Sequence, residues 1–185
     1  MKELMPENYT VIDIETTGLD RQGDDIIELS GLKVRNNNIV EEFSSLINPD
    51  RNLDYYISNL TGITDAMLQD APSIKEVLPE FVNFISNDTI IGHNVNFDIK
   101  FVHNNLKKHF NSELNNKSMD TMILAKQVLK LQNYKLTTIA QNYNIDTKNN
   151  HRGLKDCYIT YEVYNNLKSE LQKDDEPGFM QQSLL

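Results

Sequence analysis

The stretch Tyr9 to Thr16 is β-branched and apolar, broken by Asp13 and Glu15, and predicts a strand that ends before Gly18. Residues 25–34 predict a second strand. Asn36-Asn37-Asn38 predicts a turn, and residues 39–47 a third strand. Connections this short predict an antiparallel meander, closed by Asn48-Pro49-Asp50. The pattern then becomes helical. Residues 58–69 predict a short polar helix. Ile74, Val77, Leu78, Phe81, Val82 and Ile85 recur at helical spacing behind Pro72-Ser73, with Pro79 inside as a candidate kink. Thr89-Ile90-Ile91-Gly92 predicts a short strand. A helix with Ile99, Val102, Leu106 and Phe110 on one stripe follows. Residues 118–131, 137–143 and 153–171 predict further helices, the last with Ile159, Val163 and Leu167 in register. Three strands followed by helices alternating with short strands make an α/β domain with a mixed sheet. That domain is expected over residues 1–172, and the polar run from Lys173 opens a C-terminal tail over 173–185.

Four acids disturb this pattern. Alternation in a strand puts Asp13 and Glu15 on one face, pointing the same way at the carboxyl end. Like charges repel there, and burial adds a desolvation penalty. A divalent cation relieves both, and hard oxygen ligands suit Mg²⁺ or Mn²⁺. Asp98 borders an inward stripe with Phe101 and Val102 if its helix starts near Asn94. Asp156 heads the stripe of Ile159, Val163 and Leu167, and His151 lies five residues earlier. Each has a plainer reading alone: an exposed strand-edge pair, helix-start acids favoured by the dipole, a surface histidine. Three separated segments that each place acids at an element end favour one shared site.

Composition narrows the chemistry. The 185 residues are 39% hydrophobic, enough for one domain with a full core. A net charge of −9 argues against a broad basic surface for nucleic acid, yet allows an enzyme that grips a few nucleotides through metal. With Cys157 alone, neither an intrachain disulfide nor a cysteine-rich zinc site is expected. Met1 to Pro6 carries no signal-peptide pattern, and no segment approaches the ~20 apolar residues of a membrane span, so a cytoplasmic protein without membrane contact is expected. The paired asparagines read as compositional bias.

Asp13-Ile14-Glu15-Thr16-Thr17-Gly18-Leu19 resembles the first motif of the DEDDh 3′–5′ exonucleases, the DnaQ-like branch of the ribonuclease H-like fold. His93 to Asp98 resembles the second motif, and His151-Arg152-Gly153-Leu154-Lys155-Asp156 the third. Leu60-Thr61-Gly62-Ile63-Thr64-Asp65 resembles the family's Leu-Thr-Gly-Ile loop. The likeness runs from about Tyr9 to about Leu171. The one mild departure is Gly153, where relatives often carry Ala. It is expected to loosen the helix start slightly and leave the chemistry untouched.

The resemblance implies two divalent cations, Mg²⁺ or Mn²⁺, held by Asp13, Glu15, Asp98 and Asp156, with His151 as general base. It implies that Thr16, Leu19, Leu60, Thr61, Ile63, His93, Asn94 and Phe97 contact the terminal nucleotide, Phe97 and Leu60 having a core position as the alternative. The implied substrate is the single-stranded or frayed 3′ end of DNA, either in proofreading, in the manner of the DNA polymerase III exonuclease with a DNA polymerase subunit as partner, or in stand-alone repair. RNA is the alternative substrate, and a non-catalytic nucleic-acid or polymerase-binding module the alternative class. Gln181-Gln182-Ser183-Leu184-Leu185 resembles the short peptides that bind the bacterial sliding clamp, with a chance tail as the alternative.

Overall fold

A computed structural model describes residues 5–148 and 152–173. His151 and the tail peptide Gln181–Leu185 lie outside the described residues. Five strands form one sheet in the order β3-β2-β1-β4-β5. Strands β1 (Tyr9–Thr16), β2 (Ile26–Arg35) and β3 (Asn38–Leu46) make the expected antiparallel meander. Strands β4 (Thr89–Gly92) and β5 (Ser118–Asp120) extend it in parallel on the other side of β1. The mixed α/β sheet expected from the sequence is the one observed.

Alternation along β1 divides the core. Ile12 and Ile14 face one layer, where α3 (Ile74–Ile85) and α4 (Asn96–Phe110) supply Leu78, Phe81, Phe101 and Val102. Tyr9 and Val11 face the other, against Cys157 and Tyr164 of α7 (Gly153–Lys173). The Tyr9 and Tyr164 rings meet edge-on at 4.9 Å. Asp13 and Glu15 continue the Tyr9–Val11 row, so the face packed on α7 turns from apolar to acidic at the end of the strand.

Three elements depart from the sequence expectation. The helix expected over 58–69 is two short ones, α1 (Tyr55–Thr61) and α2 (Asp65–Leu68). Gly62 separates them at φ 69°, where its N–H caps α1 on the Ser58 carbonyl. The helix expected over 118–131 is a three-residue strand followed by α5 (Thr121–Val128), while the helix expected over 137–143 is present as α6 (Leu136–Asn142). Strand β5 exists because its backbone pairs with β4, which a three-residue periodicity cannot reveal. Helix α3 runs unbroken past Pro79, on its exposed side. A capping box between Ser73 and Glu76 secures its start.

Candidate active site

The acids converge at the carboxyl end of β1. One oxygen from each of Asp13, Glu15 and Asp156 lies within 4.8 Å of the others. The first two come from β1, and Asp156 from the first turn of α7. Asp98, in the first turn of α4, is buried and accepts a hydrogen bond from the Ile14 N–H (3.1 Å). That bond ties α4 to β1 between the two strand acids. All four carboxylates line a cleft of about 790 Å³.

Electrostatics there are adverse without a counter-charge. Burial, and then the charges of Asp98, Glu15, Asp156 and Glu28, push the Asp13 carboxyl well above the usual range. Burial, then Asp156 and Glu28, push Glu15 up to about 8, against a lowering pull from Arg152. Burial pushes Asp98 up to about 8, although its backbone hydrogen bonds pull the other way. Oxygen donors this close, in a site that disfavours their ionised forms, fit a divalent cation.

The remaining lining residues come from two walls. His93, Asn94 and Phe97 follow β4 on one side. His93 Nδ1 lies 3.0 Å from the Thr121 hydroxyl oxygen, and that hydroxyl donates to the Gly92 carbonyl (3.2 Å). Burial lowers the His93 pKa, against the raising effects of Asp120 and of a backbone hydrogen bond at Tyr134. Asn94 adopts φ 58°, and its N–H donates to Asp120 Oδ1 (3.0 Å). The same oxygen caps α5 through the Met122 N–H (2.9 Å). Phe97 is partly buried on Phe101, and the Arg21 guanidinium sits 5.7 Å from its ring centre. Met122, Tyr134, Lys135, Leu136 and Thr137 form the facing wall.

Other expected contacts fall elsewhere. Ile63 has no exposed surface and packs with Ile27, Ile57 and Leu68, so it is a core residue here. Thr61 is buried too: its hydroxyl donates to the Ile57 carbonyl (3.0 Å) and accepts from the Ile63 N–H (3.1 Å). The loop's Thr-Gly-Ile thus builds the turn after α1. Thr16 is likewise turned inward, donating to the Gly18 carbonyl (2.6 Å). Leu19 is 82% exposed and Leu60 also stands out to solvent, and neither lines the cleft. His151 lies outside the described residues.

Sequence reasoning missed Glu28, Asp120 and the wall from Tyr134 to Thr137. For Asp120 a signal existed, since Asp-Thr before an apolar run is an N-cap signature. Gly153 also has a packing contact that the sequence does not reveal. A Cβ there would lie 2.6 Å from the Ser30 hydroxyl and 2.9 Å from the Ser30 Cβ. Here glycine lets α7 approach β2 closely.

Comparison with known proteins finds the same fold and one family. The family model for exonucleases matches residues 10–164. The DNA polymerase III subunit epsilon of Aquifex aeolicus is 38% identical over 169 residues, covering 91% of this chain and 84% of that protein. A PolC-type DNA polymerase III of Thermotoga petrophila is 40% identical over 156 residues, covering 84% of this chain. The chain spans about a tenth of the length of such PolC-type relatives, 11% in that case. Among solved structures, exonuclease X in complex with 5′-overhanging duplex DNA superimposes with a TM-score of 0.70 at 27% identity, covering 88% of this chain and 92% of that one. Escherichia coli exonuclease I bound to a dT13 oligonucleotide shares the fold, with a TM-score of 0.78 at 17% identity and coverage of 91% and 42%. No helix among the described residues is long and apolar enough to cross a membrane.

Proposed function

The chain belongs to the exonuclease family, and on that premise we propose that it hydrolyses DNA from the 3′ end to release nucleoside 5′-monophosphates, in proofreading or repair at replication. The observation that carries this reading is the cluster of Asp13, Glu15 and Asp156 on a cleft that Asp98 also lines. Asp13, Glu15 and Asp156 would hold one divalent cation, and Asp13 with Asp98 a second, as Mg²⁺ or Mn²⁺. When bound, such ions would activate the attacking water and offset the phosphodiester's charge. His151 would take the proton of that water at a ring nitrogen, as a group that titrates near neutral pH. The new bond joins the water oxygen to phosphorus, and the bond to the 3′ oxygen breaks. That oxygen takes up a proton from solvent and leaves as the 3′ hydroxyl of the shortened strand.

Phe97 offers an aromatic surface to the terminal base, which needs no particular base identity. His93 and Asn94 beside it would fix the sugar and phosphate through polar contacts. The polymerase III names of its relatives support a place beside a replicative polymerase. The sequence of Gln181–Leu185 supports docking on a sliding clamp. Gel analysis of 5′-labelled single-stranded DNA and RNA of equal sequence tests the reading. A stepwise ladder from the 3′ end of DNA in Mg²⁺ or Mn²⁺, abolished by EDTA, is the expected result. A ladder on RNA alone would move the enzyme to RNA processing. No ladder on either would remove the nuclease reading.

Stability should follow the same charges. Glu15 and Asp98 titrate near 8 in the fold, far above an unfolded carboxyl. The fold therefore favours their protonated forms. The stability this contributes is full below about pH 4 and is lost as the pH rises through about 8. In EDTA, the melting temperature should fall by several degrees between about pH 5.5 and pH 8.5. Mn²⁺ should raise it far more at the higher pH, because cation and proton compete for the same oxygens. An increment equal at both values would show that these carboxyls do not bind the ion.

A further inference from the structure

Glu28 is a fifth carboxylate at this site, and the proposed chemistry has no use for it. It stands directly opposite Glu15 in the β1–β2 pair, on the same face, and is 2% exposed. Like charges paired across strands destabilise a sheet, so a carboxyl at this position calls for a partner. Its partner is the start of α7. Glu28 Oε2 accepts a hydrogen bond from the Gly153 N–H at 3.1 Å. Its Oε1 lies 3.6 Å from Arg152 Nη2. Amides in a helix's first turn have no intrahelical acceptor, and a carboxylate there also meets the positive end of the helix dipole.

Two strand positions further on, Ser30 supports the same turn from below. Gly153 approaches it so closely that a Cβ would overlap its hydroxyl, which is buried and without a hydrogen-bond partner. Asp156 lies one helical turn beyond Gly153, and His151 two residues before it. The contacts of residues 152 and 153 with β2 therefore fix where the acid of α7 projects.

We infer that Glu28 is a positioning residue that latches the first turn of α7 onto β2, so that Asp156 meets Asp13 and Glu15 in a cation-binding arrangement. The inference rests on the exonuclease reading for its kinetic consequence, but not for its effect on cation binding. Glu28→Leu removes the acceptor. Glu28→Gln keeps an amide oxygen for the Gly153 N–H. Residues that orient a metal's ligands usually change affinity or activity by about 10- to 100-fold when altered. Glu28→Leu is therefore expected to weaken Mn²⁺ binding, measured by calorimetry on the purified protein, by about 10-fold or more. It should lower kcat by a similar factor with little change in KM for the oligonucleotide. Glu28→Gln should restore most of both. A residue needed for folding alone would lower the folded fraction and leave the affinity of the folded molecules unchanged.

Gly153→Ala gives the second arm, because it displaces the same turn without touching Glu28. It too should weaken Mn²⁺ binding, and Ser30→Gly in the same chain should relieve it. Wild-type Mn²⁺ affinity in folded Glu28→Leu would overturn the inference. If that variant does not fold, wild-type affinity in Gly153→Ala would overturn it instead. Failure of the exonuclease reading would show separately, as wild-type protein that binds Mn²⁺ and leaves oligonucleotides intact.

Discussion

Asp13→Asn is expected to do two opposite things: remove nuclease activity, by roughly a thousandfold in kcat/KM, and raise the melting temperature of the cation-free protein. Asp13 carries the largest set of like-charged neighbours at the site, with burial added. With cations bound, that concentration of charge would supply binding energy for them. Without cations it is repulsion across a shared cleft. Asparagine keeps the size and shape of the side chain and removes the charge, so core packing is not disturbed. At about pH 8 in EDTA the variant should melt a few degrees above wild type. Adding Mn²⁺ should then stabilise it little, whereas wild type gains. Calorimetric melts of both proteins with and without Mn²⁺, beside single-turnover cleavage of a labelled oligonucleotide, check the whole pattern. A variant that loses activity and stability together would mean that Asp13 supports the fold rather than a cation.

The same trade-off separates what the sequence made legible from what it did not. Asp13 and Glu15 could be read because the alternation of a single strand sets their direction, and the strand is where its β-branched run put it. Asp98 and Asp156 could be read because the first borders and the second heads an apolar stripe of its own helix. These are local signals. Glu28 gives none: within Ile26-Ile27-Glu28-Leu29 it looks like a solvent-facing strand position. Its burial is decided by the register against β1 and by a helix 125 residues further along the chain. Gly153 looked harmless for the same reason, since Ser30 reaches it only through the tertiary fold. Strand β5 and the Tyr134–Thr137 wall depend on long-range pairing and on loop path, which periodicity does not encode. The Leu60–Ile63 loop was legible as a motif, but which of its side chains turn inward was not. Its threonine and isoleucine point into the protein and hold the turn.

His151→Ala should fall at the other end of the scale from Asp13→Asn, with a large loss of rate and no loss of cation. A general base contributes about 10²- to 10⁴-fold to a hydrolysis, and kcat should drop within that range. An imidazole five residues before Asp156 adds no negative charge to the cleft, so its removal leaves the repulsion among the four carboxylates untouched. Mn²⁺ affinity, and the stabilisation it gives, should therefore match wild type. The pH profile carries the second signature. In wild type the rate should rise as the imidazole loses its proton near neutral pH, and this limb should vanish in the variant. Any remaining pH dependence then belongs to the carboxylates that compete with protons for the cation, and higher Mn²⁺ should shift it to lower pH. Loss of Mn²⁺ binding in His151→Ala would reassign the residue from base to ligand. A retained neutral limb would put the proton-accepting group elsewhere, and His93, which lines the same cleft, would be the next residue to replace.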